Sequence, residues 1–78
     1  MMKRTEKTNT LIGRRLRELR TRRKLSQEEL AELADVHRNF IGLAERGEKN
    51  MTLEKLICIA QALKVWPGDL FDRFPRPK

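Results

Sequence analysis

An all-α fold of five short helices is predicted by three observations on this 78-residue chain. Apolar residues recur at three- and four-residue spacing through most of its length. No stretch alternates in the manner of a strand. The segment LSQEELAELADVHRNFIGLAERG, residues 25–47, reads as two short amphipathic helices about a tight polar turn, closed by a glycine. A basic segment lies directly upstream. A helix pair of this size in a cationic chain points to insertion into the major groove of DNA, which admits one helix.

The net charge is +7, and its placement is informative. Residues 1–24 carry ten Lys or Arg against Glu6 and Glu18, a balance of +8, whereas residues 25–78 balance to −1. Such asymmetry implies a polyanionic partner. The length suits one small domain with a thin core, so self-association is an expected source of added stability. No segment has the roughly 18 apolar residues of a membrane span, and the N-terminal MMKRTEKTNT lacks the apolar run of a signal peptide. One cysteine, Cys58, excludes an internal disulfide, and with the single His37 it cannot build a protein-only zinc site. A cytoplasmic location is expected, with no cofactor, metal, small-molecule ligand or membrane partner. No catalytic constellation is present: Ser26 serves as a helix cap, and no cysteine lies near His37 in sequence. An enzyme is not expected.

In chain order, residues 1–9 are polar and aperiodic and read as a mobile basic arm. The domain proper is expected over 10–74, and 75–78 as an irregular tail. Thr10 is an N-cap candidate for a first helix to about residue 24, with Leu11 or Ile12, Leu16 and Leu19 inward and arginines opposite. Ser26 and Glu29 form a capping box for the second helix, in which Leu30, Leu33 and Ala34 face inward. Asp35 tolerates the left-handed turn, and Val36 plugs the angle between helices. The third helix runs from about 38 to 45, with Phe40, Ile41 and Ala44 inward and Gly47 as its stop. Thr52 caps a fourth helix whose stripe is Leu53, Leu56, Ile57, Ala60 and Leu63, leaving Ile59 off it. Pro67 suits the first position of a short fifth helix to about 72. Cys58 reads as packing or interface rather than a redox sensor.

Residues 27–46 resemble the helix-turn-helix of the Xre/Cro/phage-repressor-like transcriptional regulators. Gln27, Ala31, Leu33, Asp35, Val36, Ile41 and Glu45-Arg46-Gly47 carry the resemblance, and NMTLEKLICIAQALKV looks like that family's fourth helix. The chain is similar in particular to small stand-alone regulators typified by restriction-modification controller proteins. The resemblance covers about residues 11–72 and implies a compact, five-helix lambda-repressor-like domain. Two positions depart from the family pattern. The turn carries Asp35 where Gly is usual, and Ala44 replaces a large aliphatic residue. The core under the third helix is therefore either thin or filled by a neighbour such as Leu43 or Met51.

Charge, helix pattern and resemblance together imply a sequence-specific DNA-binding transcriptional regulator, a homodimer on a pseudo-palindromic operator in double-stranded DNA. The outward residues of the third helix supply the base contacts. Arg38 can reach guanine O6 and N7 together; Asn39 either pairs with adenine or helps cap the helix; Leu43 either meets a thymine methyl or repairs the core beside Ala44; His37 stands at the helix start. Gly42 is costly in mid-helix, by roughly 1 kcal/mol, and either admits a close approach to DNA or is simply tolerated. The resemblance gives Gln27 a phosphate contact, and Arg46, Lys49, Asn50, Arg20 and Arg15 are expected to add others. Arg20 and Glu45 occupy positions that form a structural ion pair in similar proteins. Ile59, Trp66, Leu70, Phe71 and Phe74 offer more apolar surface than one core needs and are the expected dimer interface. The alternative is an antitoxin-type module that binds a protein partner and regulates its own gene. A basic membrane-surface helix is disfavoured, because the apolar face of the first helix is needed for the core.

Overall fold

The computed structural model describes residues 4–75, with side chains from residue 7 onward. Four α-helices follow one another: α1 (Arg4–Arg22), α2 (Gln27–Ala34), α3 (Arg38–Glu45) and α4 (Leu53–Leu63). A 3-10 helix, Pro67–Phe71, stands where a fifth α-helix was expected. Five residues that begin Pro-Gly are too few to repay α-helix nucleation, and the tighter 3-10 turn is the usual outcome. No strand occurs among the described residues.

α1 begins at Arg4, not at Thr10, so residues 4–9 are helix where an irregular arm was expected. They contain no Gly or Pro to stop propagation, and the Asn9 amide donates to Asn50 Oδ1 (2.7 Å), which ties this end to the α3–α4 loop. Residues 1–3 of the expected arm, and 76–78 of the expected tail, lie outside the described residues.

The other helix starts follow the sequence. Ser26 Oγ accepts from the Glu29 N–H (2.9 Å), while Glu29 Oε1 accepts from the Ser26 N–H (2.8 Å). Thr52 Oγ1 accepts from the Lys55 N–H (3.1 Å). Helix ends are more uniform than the sequence suggests. Each α-helix stops at a residue with positive φ: Lys24 (59°), Asp35 (56°), Gly47 (76°) and Lys64 (59°). The N–H of the next residue then reaches back five positions, Leu25 to Arg20, Val36 to Ala31, Glu48 to Leu43 and Val65 to Ala60, at 2.9–3.1 Å. This is the Schellman closure, used four times with only one glycine. Leu25, Val36 and Val65 pack on the core as its apolar anchors. At the end of α3 the anchor position is an exposed charge, Glu48.

The core gathers Leu16 and Leu19 of α1, Leu30, Ala31 and Ala34 of α2, Ile41 and Ala44 of α3, Leu56, Ile59, Ala60 and Leu63 of α4, and Leu70. Each fully buried Leu or Ile contributes about 1.5–3 kcal/mol. Two inward assignments are corrected. Leu33 is exposed, because α2 buries the arc Leu30, Ala34 and Ala31 and Leu33 lies on the other side of Leu30. α4 buries Leu56, Ile59, Ala60 and Leu63, so Ile59 is core while Leu53 and Ile57 face outward. Both α4 sets satisfy helical spacing; contact with α2 and the 3-10 helix selects between them.

α1 lies directly on α3. A β-carbon on Gly13 would stand 2.3 Å from the Ala44 carbonyl oxygen and 2.7 Å from that of Glu45. A few residues earlier, Thr10 fills the space where Gly47 would carry a side chain, with its Oγ1 2.8 Å from that point. Of the two neighbours expected to fill the core beside Ala44, Met51 packs against it, whereas Leu43 is half-buried and outside it.

Gly13→Ala is expected to destabilise the fold by about 1–3 kcal/mol, since the overpacking cost exceeds the roughly 1 kcal/mol that alanine offers in a helix; urea unfolding checks the sign. Acid stability is set in part by two carboxyls. Glu18 is held below its ordinary value of 4.5 by hydrogen bonds from Arg73 and then Arg15. Glu29 is held below it by the backbone and then the side chain of Ser26. Depressed folded-state values stabilise the fold above the unfolded value and lose that effect as pH falls through the lower folded values. Thermal midpoints should therefore fall as pH drops below 4.5, and less steeply in Glu29→Gln.

Candidate nucleic-acid interface

The turn between α2 and α3 leaves two helix starts side by side. At α2 the capping box uses the Ser26 and Glu29 N–H groups, so the first-turn N–H groups of Gln27 and Glu28 lack intrahelical acceptors and face outward. At α3 the cap is the His37 imidazole, whose Nδ1 accepts from the Asn39 N–H (3.1 Å). With His37 in that role, the Asn39 side-chain amide is exposed and takes no part in capping.

The outward surface of α3 and the start of α2 together line one cleft of about 320 Å³, formed by Gln27, Arg38, Asn39, Gly42, Leu43 and Arg46. A second depression beside it runs from Arg38 and Asn39 to Ser26, Gln27 and Glu28. Gly42 forms part of the cleft's floor. A β-carbon there would lie 3.4 Å from both Gln27 Oε1 and an Arg46 guanidinium nitrogen, so both side chains lie over it at contact distance. Arg38 is exposed and makes no ion pair among the described residues. Leu43 offers the apolar part of the cleft wall. The arrangement presents two-pronged donors, an amide and a methyl-sized apolar contact on one helix face, which is the inventory needed for base edges.

Behind the cleft, Arg20 holds α3 in place. Its Nε and Nη2 donate to Glu45 Oε2 and Oε1 at 2.5 and 3.0 Å, and Nη1 donates to the Leu25 carbonyl at 2.7 Å. The two side chains are only 11% and 4% exposed. Glu45 Oε1 also accepts from the Gln27 amide at 3.0 Å. α1, α2 and α3 thus meet at one carboxylate, and the α1–α2 loop is held by the same guanidinium. Fork-on-fork geometry makes such pairs strong and directional.

Several expected contacts take other places. Arg20, expected to form the structural pair and also to reach a phosphate, directs its guanidinium to Glu45 and the Leu25 carbonyl. Arg15, expected as a phosphate contact, donates to the Asp69 carbonyl (2.8 Å), Asp72 (2.8 Å) and Glu18 (3.2 Å), clamping the 3-10 helix to α1. Lys49 and Asn50 are exposed in the loop after α3, with Asn50 taken up by Asn9. Arg46 is exposed and paired with Glu48 at 2.5 Å. Arg14, Arg17, Arg22 and Lys24 are exposed and unpaired among the described residues. Ile59 and Leu70 are corrected from dimer interface to core, since both are fully buried within one chain. Trp66 and Phe71 are exposed, and half-buried Phe74 stacks edge-on against Phe71 at 5.7 Å. Sequence reasoning missed exposed Leu53 and Ile57, because an apolar residue on a mostly apolar helix gives no sign of which side it takes. It also missed Gly13, whose signal was a glycine in mid-helix without a turn.

Among the described residues no cluster of His, Cys, Asp and Glu could hold a metal, and no helix is long and apolar enough to cross a membrane.

A family model described as a helix-turn-helix domain matches residues 11–74. The control protein C.SmaI of Serratia marcescens is 45% identical over 63 residues, covering 81% of this chain and 75% of that protein. The control protein C.BamHI of Bacillus amyloliquefaciens is 39% identical over 69 residues, covering 87% and 85%. The crystal structure of the restriction-modification controller protein C.AhdI from Aeromonas hydrophila superposes with a TM-score of 0.81 at 44% identity, covering 82% of this chain and 97% of that one.

Proposed function

The chain belongs to the helix-turn-helix family of DNA-binding transcription regulators, and on that premise we propose that it is a homodimer that reads a pseudo-palindromic operator through α3. The observation that carries this reading is the cleft on the outer face of α3, where Arg38, Asn39, Leu43 and Arg46 stand together beside the start of α2. In this reading α3 enters the major groove. Arg38 bonds a guanine edge, and Asn39 and Leu43 contact neighbouring bases, with His37 at their margin. Gln27 and the free N–H groups of α2 meet a phosphate, and Lys49 and Asn50 meet another. The unpaired cations of α1 add long-range attraction that screens with salt.

The second copy covers the outward side of α4 and the chain after it. Leu53 and Trp66 are 73% and 80% exposed. Ile57, Val65, Trp66 and Pro67 line a groove of about 590 Å³. Exposed apolar surface rimmed by polar residues marks an association face. Phe71 and Phe74 extend it. Two recognition helices would then lie about 34–36 Å apart, one DNA turn.

Selection of bound sites from random duplex DNA tests the reading: a two-fold symmetric site is expected, and recovery of unrelated sequences would refute it. On that site Arg38→Ala should cost about 1–3 kcal/mol and relax preference at one base position; a titration with equal loss on every sequence would reassign Arg38 to phosphate. Sedimentation equilibrium of Ile57→Asp should show a monomer where the wild type is a dimer, with helical content unchanged.

A further inference from the structure

Glu48 stands apart from the other helix ends. Leu25, Val36 and Val65 fill the equivalent position after α1, α2 and α4 and anchor those ends to the core. Glu48 keeps the backbone closure, its N–H bonded to the Leu43 carbonyl at 2.9 Å, but contributes no apolar anchor. Its carboxylate instead accepts from Arg46 Nε at 2.5 Å. An exposed ion pair adds little to stability, so the fold gains almost nothing from a charge at this place.

The pair does have a geometric consequence. A guanidinium is planar, with donors in a fixed fork. Engaging Nε fixes that plane and leaves the two terminal nitrogens for another acceptor. One of them already lies over Gly42, within the cleft that holds Arg38 and Asn39. The backbone that carries Glu48 is held in place, since Gly47 adopts the left-handed conformation packed against Thr10 and the Glu48 N–H is closed onto Leu43.

Resting on the reading of α3 as the DNA-reading helix, we infer that Glu48 is a positioning residue for DNA binding: it aims the free edge of Arg46 at a pair of acceptor atoms on the duplex. Those acceptors are either two phosphate oxygens or guanine O6 and N7. The inference runs against simple charge counting, by which removal of an anion near DNA strengthens binding. A pre-aimed side chain loses less freedom on binding, and that gain is forfeited when its post is removed.

The test compares wild type, Glu48→Gln, Arg46→Ala and the double variant on the selected duplex and on a random duplex of equal length. Glu48→Gln should weaken binding to the selected site about two- to fivefold, the worth of an exposed ion pair, with an unchanged thermal midpoint. In the Arg46→Ala background the same substitution should have no effect. Loss confined to the selected duplex identifies a guanine edge, and equal loss on both identifies phosphate. Unchanged or tighter binding by Glu48→Gln, or a loss that persists without Arg46, overturns the inference while leaving the DNA-reading role of α3 intact. A wild-type protein that retains no duplex overturns both.

Discussion

Everything on the outer face of α3 depends on how closely α1 lies against α3. That approach is possible because Gly13 presents no side chain to the Ala44 and Glu45 carbonyls. It is locked because Arg20, two helical turns further along α1, grips the Glu45 carboxylate from behind. A glycine against two backbone carbonyls sets the distance, and an ion pair sets the rotation. The Gln27 amide shares the same carboxylate, so the start of α2 is registered to the end of α3 by the same contact. A helix of eight residues has little stability of its own; its placement comes from this apposition and from Ile41 and Ala44 in the core.

The same economy governs the helix ends. Four closures of one kind turn the chain between elements, and three place an apolar residue on the core directly afterwards. Lys24, Asp35 and Lys64 accept a left-handed backbone that glycine would take more readily. That costs on the order of 1–2 kcal/mol each, and the anchors at Leu25, Val36 and Val65 offset it. The end of α3 uses the one glycine and has no such anchor, which frees Glu48 and Arg46 for the surface.

Local chemistry was legible in the sequence wherever one residue determined it. The Ser26–Glu29 box, the Thr52 cap, the left-handed Asp35 and the stop at Gly47 needed no tertiary information. The family resemblance added the Arg20–Glu45 pair. Features that escaped were decided by neighbours. Ile57 and Ile59 both fit a helical stripe, and only the packing of α2 and Leu70 selects the second. Leu33 satisfies the same periodicity as Leu30 and yet faces solvent. Arg15 was one of several basic residues on α1 until the 3-10 helix folded back to present the Asp69 carbonyl and Asp72. Ala44 read as a possible defect; it is buried in the core, with Met51 packed against that core, while the approach of Gly13 to the carbonyls of residues 44 and 45 is a relation 31 positions apart that periodicity cannot reveal. On the candidate site, the outward residues of α3 followed directly from helical phase, whereas Glu48 did not, because its role lies in a loop closure.

The Arg20–Glu45 contact is the lock on α3. A double-mutant cycle by urea unfolding, with Arg20→Ala, Glu45→Ala and the pair, measures it directly. Each single change leaves a largely buried charge without its partner, so each should be costly, while the double variant should cost far less than their sum, with a coupling of about 2 kcal/mol or more. Costs that add to within about 0.5 kcal/mol would contradict that role and return the placement of α3 to the apolar core alone.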